Sequence, residues 1–172
     1  VIMGYGLIHV KKKEISLINF GVLKLSKIEN QPDRLKKIFE KIDQLIVEYK
    51  PDEMAIEAPF FGKNVQSMLK LGRAQGVAIA AAISAGLPVT EYSPKKVKQS
   101  VTGNGNADKL QVLKMLQTIL KFETDAKTFD ASDALAVAVC HYYQESNVVL
   151  AGGSSKNDWK HFIANNPEKI RG

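Results

Sequence analysis

The sequence predicts an α/β domain built around a mixed β-sheet. Short apolar segments of strand length alternate with longer segments whose apolar residues recur at helical spacing. The first two strands are separated by only a short charged turn, which favours an antiparallel hairpin. Because a hairpin is followed by strands that alternate with helices, the sheet should contain both antiparallel and parallel neighbours. The predicted order is β, β, α, β, α, β, α, α.

The hairpin is predicted over Met3 to Val10 and Glu14 to Leu25, which are rich in Ile, Val, Leu, Tyr and Phe. Three adjacent lysines, 11 to 13, form its turn. The first helix follows Asn30, since apolar residues recur every three or four positions from Leu35 onward. Pro51 ends it, because the residue before a proline is disfavoured in a helix.

Two short strands and three further helices complete the prediction. Met54 to Ile56 is too short for a helix and places Glu57 at its end. The other elements are helices at Val65 to Ala85, Lys109 to Leu120 and Phe129 to Tyr143, and a strand at Leu87 to Tyr92. After about Val149 a Gly- and Ser-rich stretch begins. We therefore predict one domain over residues 1–149 and a flexible C-terminal tail over residues 150–172.

Composition and charge exclude several classes of protein. With 45% hydrophobic and 24% charged residues, the chain can bury a core and is neither disordered nor fibrous. No apolar run approaches the roughly 18 residues of a membrane span, and we expect no signal peptide. Cys140 is the single cysteine, so a reducing cytoplasm is expected. The formal net charge is +6, and most of it lies in residues 94–128, which contain seven lysines and three acidic residues. This positive charge weakly favours a polyanionic partner.

Three carboxylates stand out as candidate site residues. Glu57 ends an apolar strand, where α/β proteins gather ligand sites, and Asp130 and Asp133 share one side of the first turn of an Ala-rich helix. Converging carboxylates suit Mg²⁺ or Mn²⁺ and phosphodiester hydrolysis with two metal ions. The alternatives are a helix N-cap for Asp130, a surface position for Asp133 and a surface ion pair for Glu57. One cysteine and three dispersed histidines exclude a zinc site.

The chain resembles a known family, the RuvC Holliday-junction resolvases, in motifs that span about Met3 to Tyr143 in the family's order. The motifs are Gly4-Tyr5-Gly6-Leu7-Ile8, Ala55-Ile56-Glu57 followed by Phe60, Lys63 and Asn64, Leu69 to Ala78, Glu91-Tyr92 with Val97-Lys98-Gln99, and Asp130 to Ala136. The resemblance implies an RNase H-like fold, a mixed five-stranded sheet flanked by helices. It also implies a bacterial homodimer that cuts four-way DNA junctions symmetrically in recombination and repair, alongside a branch-migration helicase.

By this resemblance, Glu57, Asp130 and Asp133 match three of the family's four metal-binding carboxylates, with Mg²⁺ as cofactor, Mn²⁺ as a substitute and two ions per site. The fourth stands in a Gly-Ile-Asp-Pro-Gly-like turn that ends the family's first, central strand. It has no counterpart here, since Val1 begins just after that position. Without this strand we expect the sheet to split and expose two unpaired edges. We also expect that the N-terminus has been lost and that the 172-residue chain is inactive and unfolded.

The resemblance and the charge pattern also predict how DNA is held. Phe60 matches the aromatic that stacks on bases at the junction centre, and Lys98 and Lys109 match positions implicated in DNA contact and activity. Lys63, Asn64 and Arg73 are expected to contact the backbone. Gly72 and Gly76 lie in a helix that the family uses for its dimer, although packing on its own sheet is the alternative. The rival functions are a non-catalytic junction-binding module and an RNase H-like nuclease for another nucleic acid.

Overall fold

A computed structural model describes residues 2–59, 64–124 and 129–151, with side chains described up to residue 146. Phe60, Lys63 and nearly all of the predicted tail lie outside the described residues. The chain divides into two compact units, Val1–His141 and Tyr142–Gly172, so this division falls inside the last helix. The predicted boundary after residue 149 stays a prediction. The described helices include none that is long and apolar enough to cross a membrane.

Four strands are present in the described residues, in two separate ladders. The predicted hairpin is formed by β1 (Ile2–Lys11) and β2 (Glu14–Lys24), which are antiparallel. The second ladder is parallel and joins β3 (Met54–Glu57) to β4 (Val89–Tyr92), with Glu57 opposite Tyr92. The ladders share no hydrogen-bonded strand, so the described residues form two separate sheets, as expected above.

The predicted helices are present with clear end signals. The first helix, α1 (Gln31–Tyr49), begins where the Asn30 side chain accepts a hydrogen bond from the Asp33 N–H, and ends at the left-handed Lys50. The others are α2 (Val65–Ser84), α4 (Lys109–Leu120) and α5 (Phe129–Ala151), the last extending beyond its predicted end. Leu25, Ile38 and Ala78 form a buried cluster where the end of β2 meets α1 and α2.

One helix was not predicted, α3 (Pro94–Thr102). Ser93 caps its first turn by accepting a hydrogen bond from the Lys96 N–H, and Gly103 ends it with φ of 77°. Its buried face holds Val97 and Val101, one turn apart. The loop that follows is hydrogen-bonded to α3: the side-chain amide of Gln99 accepts from the Gly105 N–H and donates to the Gly103 carbonyl.

Candidate active site

The carboxylates that the sequence singles out lie on two elements. Glu57 is the last residue of β3, and Asp130 and Asp133 lie in the first turns of α5. Glu57 and Asp133 are close enough to interact electrostatically: desolvation and the charge of Asp133 raise the pKa of Glu57, while the ammonium groups of Lys109 and Lys98 lower it. Two carboxylates and two lysines therefore share one electrostatic neighbourhood, at the carboxyl end of a parallel ladder.

The backbone at Glu57 is held from two sides. On the ladder side, the N–H of Ala58 donates to the carbonyl oxygen of Tyr92 at 2.8 Å. On the other side, Nε2 of Gln75, from α2, donates to the carbonyl oxygen of Glu57 at 2.6 Å. Gln75 was not predicted, because a lone glutamine in a helix gives no sequence signal. These two bonds fix where the Glu57 side chain leaves the sheet.

The start of α5 is packed directly against β1. A Cβ atom at Gly4 would overlap the backbone carbonyl oxygen of Asp130, and a Cβ atom at Gly6 would lie 2.8 Å from Cα of Leu135. Only glycine allows the two backbones to approach so closely. Packing therefore explains the Gly-Tyr-Gly segment, because its two glycines allow the turn that carries Asp130 and Asp133 to lie against β1.

Lys109 makes a direct contact in this cluster. Its Nζ donates to Oδ2 of Asp133 at 2.6 Å, and this bond, followed by the charges of Asp133, Asp130 and Glu57, raises the pKa of Lys109. The lysine is the first residue of α4, whose start is fixed by a capping box between Asp108 and Gln111. Both partners are about half exposed, so the pair adds little to stability. Its effect is to place a cation among the carboxylates.

The donor set fits a hard divalent cation in its chemistry. Carboxylate oxygens are the ligands that Mg²⁺ and Mn²⁺ prefer, and a cation beside Glu57 would relieve the repulsion that raises its pKa. Among the described residues, however, no three acidic, His or Cys side chains lie close enough together to hold a metal ion. A complete coordination shell therefore needs a rearrangement or a further ligand.

The remaining predicted contact residues have different surroundings. Arg73 is exposed on α2. Asn64 caps α2, since its Oδ1 accepts a hydrogen bond from the Ser67 N–H at 3.0 Å. Lys98, on α3, is half-buried near Glu57. Phe60 and Lys63 lie outside the described residues, so the DNA contacts of these residues stay predictions.

Helix α2 has two unlike faces. Ala78, Ala81 and Ala82 are buried, so these small residues pack within the chain. The opposite face, here called the open face, consists of Val65, Leu69, Gly72, Gly76 and Ile83, which recur at helical spacing. Its apolar side chains are exposed, Val65 by 65% and Ile83 by 59%, and a Cβ atom at Gly72 or Gly76 would meet nothing within 4 Å.

Comparison with known proteins gives consistent matches. The family model described as crossover junction endodeoxyribonuclease RuvC matches residues 1–141. A curated protein of that name from Cytophaga hutchinsonii is 61% identical over 170 residues, which is 99% of this chain and 83% of the relative. One from Porphyromonas gingivalis is 54% identical, over 99% of this chain and 92% of the relative.

Two solved structures are also similar. The structure of Thermus thermophilus RuvC is 31% identical with a TM-score of 0.75, over 85% of this chain and 90% of that one. The T. thermophilus RuvC complex with a Holliday junction substrate is 32% identical with a TM-score of 0.76, over 84% of this chain and 88% of that one.

Proposed function

The chain belongs to the RuvC family of crossover junction endodeoxyribonucleases, and we propose from this membership that it resolves Holliday junctions by hydrolysing phosphodiester bonds. The observation that carries the proposal is the cluster of Glu57, Asp133 and Lys109 at the carboxyl end of β3. A like-charged carboxylate pair with an adjacent lysine suits a site that binds both a metal ion and a phosphate. Asp130 adds a third carboxylate near the start of the same helix as Asp133.

In this proposal Glu57, Asp130 and Asp133 are the metal ligands. When bound, two Mg²⁺ ions, or Mn²⁺ as a substitute, supply Lewis acidity and lower the pKa of a water molecule. The chain's own task is to bring the three carboxylates together and keep Glu57 ionised, because only a carboxylate binds such ions. Lys98 and Lys109 serve that task, since both lower the pKa of Glu57.

The two lysines also suit the DNA phosphates. Lys109 is exposed on one side while its ammonium group contacts Asp133, so a phosphate placed at the carboxylates would lie within its reach. A cation in that position stabilises negative charge that builds up on the phosphate during hydrolysis. Arg73, Asn64 and Lys63 are proposed to bind the DNA backbone without reading sequence, with an affinity that falls as salt rises. Phe60 is proposed to stack on bases at the junction centre.

The site of the 172 residues is one carboxylate short of the family's set. We propose, as the family resemblance implies, that the remaining ligand is an aspartate in a Gly-x-Asp-x-Gly turn, on a strand that pairs between β1 and β3. The two separate ladders and the absence of a closed metal site among the described residues both support this proposal. Sequencing the gene upstream of Val1 tests it. A sequence there without an acidic residue would favour a non-catalytic junction-binding module instead.

Cleavage of a synthetic four-way junction tests the enzyme and its site together. We expect the full-length protein to nick opposite strands symmetrically in Mg²⁺ and to stop in EDTA. Asp133→Asn should lower the rate at least 100-fold, because a metal ligand is lost. Asp43→Asn, an exposed change on α1, is the matched control. Equal cleavage by both variants would refute the assignment, and preferential cleavage of RNA or linear duplex would refute the junction as substrate.

The open face of α2 is proposed as the homodimer interface. Exposed Val65, Leu69 and Ile83 would be buried there, and the glycines permit close approach of a second helix. Two-fold symmetry would then present two active sites to two like strands. The small residues Ala78, Ala81 and Ala82 of the same helix are buried on its other side and do not take part.

We further propose, from family membership alone, that the protein acts in the cytoplasm with a branch-migration helicase complex. Cys140 is a free, buried thiol, in accord with a reducing compartment. Adding the helicase complex of the same organism to the junction assay should raise the cleavage rate of the full-length protein. An unchanged rate in the presence of active helicase would contradict the partnership.

A further inference from the structure

A chain of three polar side chains joins the two elements that carry the carboxylates. Oη of Tyr92, the last residue of β4, lies 2.8 Å from Nδ1 of His141 on α5. Nε2 of the same imidazole lies 2.6 Å from Oε2 of Glu53, just before β3. We call Tyr92, His141 and Glu53 the β4–α5 clamp. No role is given to it by the activity described above.

The hydrogen bonds of the clamp form one consistent set. With the imidazole proton on Nε2, His141 donates to the Glu53 carboxylate and accepts the Tyr92 hydroxyl proton at Nδ1. Both ring nitrogens of His141 are thus satisfied, while its side chain is only 14% exposed. Tyr92 is buried, and its ring packs against the imidazole with centroids 5.7 Å apart. Hydrogen bonds at both nitrogens of a largely buried imidazole hold it and its partners in one arrangement.

The clamp acts on the positions of the carboxylates through the backbone. Tyr92 is the ladder partner of Glu57, and its carbonyl accepts the hydrogen bond of Ala58. His141 lies two turns beyond Asp133 on the same helix. Since a helix and a short ladder are stiff over this length, a bond between Tyr92 and His141 restrains the separation of Glu57 from Asp133.

We propose that Tyr92, His141 and Glu53 are positioning residues that set the spacing of the metal-binding carboxylates. The inference rests on the proposed function, because it concerns the same site. It predicts that breaking the clamp weakens metal binding while junction affinity without metal is kept. Groups that orient a metal's ligands typically change metal affinity or activity 10- to 100-fold when they are removed.

The chain provides a matched control for the loss of one tyrosine hydroxyl. Oη of Tyr49, on α1, accepts a hydrogen bond from Nδ2 of Asn19 at 2.7 Å and also bonds the side chain of Glu48. Tyr92→Phe should weaken Mn²⁺ binding without DNA about 10-fold and raise the Mg²⁺ concentration for half-maximal cleavage equally. Tyr49→Phe should change neither, although it also removes a hydrogen-bonded tyrosine hydroxyl. Mn²⁺ binding is followed by electron paramagnetic resonance.

Glu53 gives a second comparison, independent of the buried tyrosine. Glu53→Gln keeps an oxygen that can accept the His141 proton, whereas Glu53→Ala removes it. We therefore expect nearly normal Mn²⁺ binding in the first variant and several-fold weaker binding in the second. The two Glu53 variants still test the inference if Tyr92→Phe fails to fold. Glu53 is half exposed, so we expect both of its variants to fold.

The results separate this inference from the proposed function. If Asp133→Asn abolishes cleavage while Tyr92→Phe binds Mn²⁺ as Tyr49→Phe does, the clamp is structural only and the inference is overturned. Equal Mn²⁺ binding by Glu53→Ala and Glu53→Gln would overturn it as well. If Asp133→Asn changes nothing, the proposed function itself fails. Weaker Mn²⁺ binding in Tyr92→Phe and Glu53→Ala, with junction binding in EDTA unchanged, supports positioning.

Discussion

Two pairs of glycines in this chain lie in opposite surroundings. Gly4 and Gly6, on β1, touch the backbone at the start of α5, where a Cβ atom has no room. Gly72 and Gly76, on α2, face open space. Glycine in a helix interior is less stable than alanine by roughly 1 kcal/mol, and no contact among the described residues offsets this on α2. The described residues therefore explain the first pair, whereas the second pair agrees with the dimer interface proposed above.

The largest effect is expected from adding a side chain where β1 packs directly against α5. In Gly4→Ala the new methyl group overlaps the Asp130 carbonyl, so strand and helix must separate. We expect the free energy of unfolding to fall by about 3 kcal/mol, at the upper end of overpacking. Urea denaturation measures it. A variant as stable as the parent would show that the start of α5 is not seated on β1.

The next effect concerns the open face of α2. It should appear in the association of two subunits and not in the stability of the monomer. In Gly76→Trp the new Cβ atom meets nothing within 4 Å among the described residues, but the indole would collide with a helix packed on this face. We expect the dimer dissociation constant to rise roughly 5- to 150-fold, for a penalty of about 1 to 3 kcal/mol. Sedimentation equilibrium measures it. Val47→Trp, at an exposed position on α1, is the control. Unchanged dimerisation would move the interface elsewhere.

The local elements of this fold could mostly be predicted from the sequence, whereas the contacts between distant residues could not. The hairpin, α1 and the strand carrying Glu57 follow from local pattern, and all are present. Helix α3 was missed although Ser93, Pro94 and Gly103 are ordinary end signals, because its lysines were interpreted only as positive charge suited to a polyanionic partner.

The convergence of Glu57 and Asp133 was predictable, since strand ends and helix starts gather at one edge of an α/β sheet. The contacts that hold this edge were not. Tyr92 and His141 are 49 residues apart, and His141 and Glu53 are 88 apart. No periodicity or motif connects such positions, because only the packing of the fold brings them together.

A smaller effect of opposite sign is expected for Gly72→Ala. The methyl group meets nothing, and alanine loses less backbone freedom on folding. The monomer should therefore gain about 0.5 to 1 kcal/mol in its free energy of unfolding. Urea denaturation at a protein concentration low enough to keep the chain monomeric measures it. A loss of stability would mean that the open face is already covered within the chain.

The smallest effect is a change in stability with pH, which we expect at Glu57 but not on the open face of α2. Because the pKa of Glu57 is raised in the folded state, the folded protein holds this proton more tightly than the unfolded chain does. The carboxyl therefore lowers stability as pH rises through and above about 4.5, and has no such effect below that range. Glu57→Gln, which stays neutral, should be as stable as the parent near pH 4 and slightly more stable near pH 7, in EDTA.

The open face of α2 carries no ionisable group, so the gain from Gly72→Ala should be the same at both pH values. A pH-independent difference for Glu57→Gln would mean that neither burial nor the charge of Asp133 raises the pKa of Glu57 in the folded protein. The same variant should lose metal-dependent cleavage, which would show that the carboxylate is kept for its function at a small cost in stability.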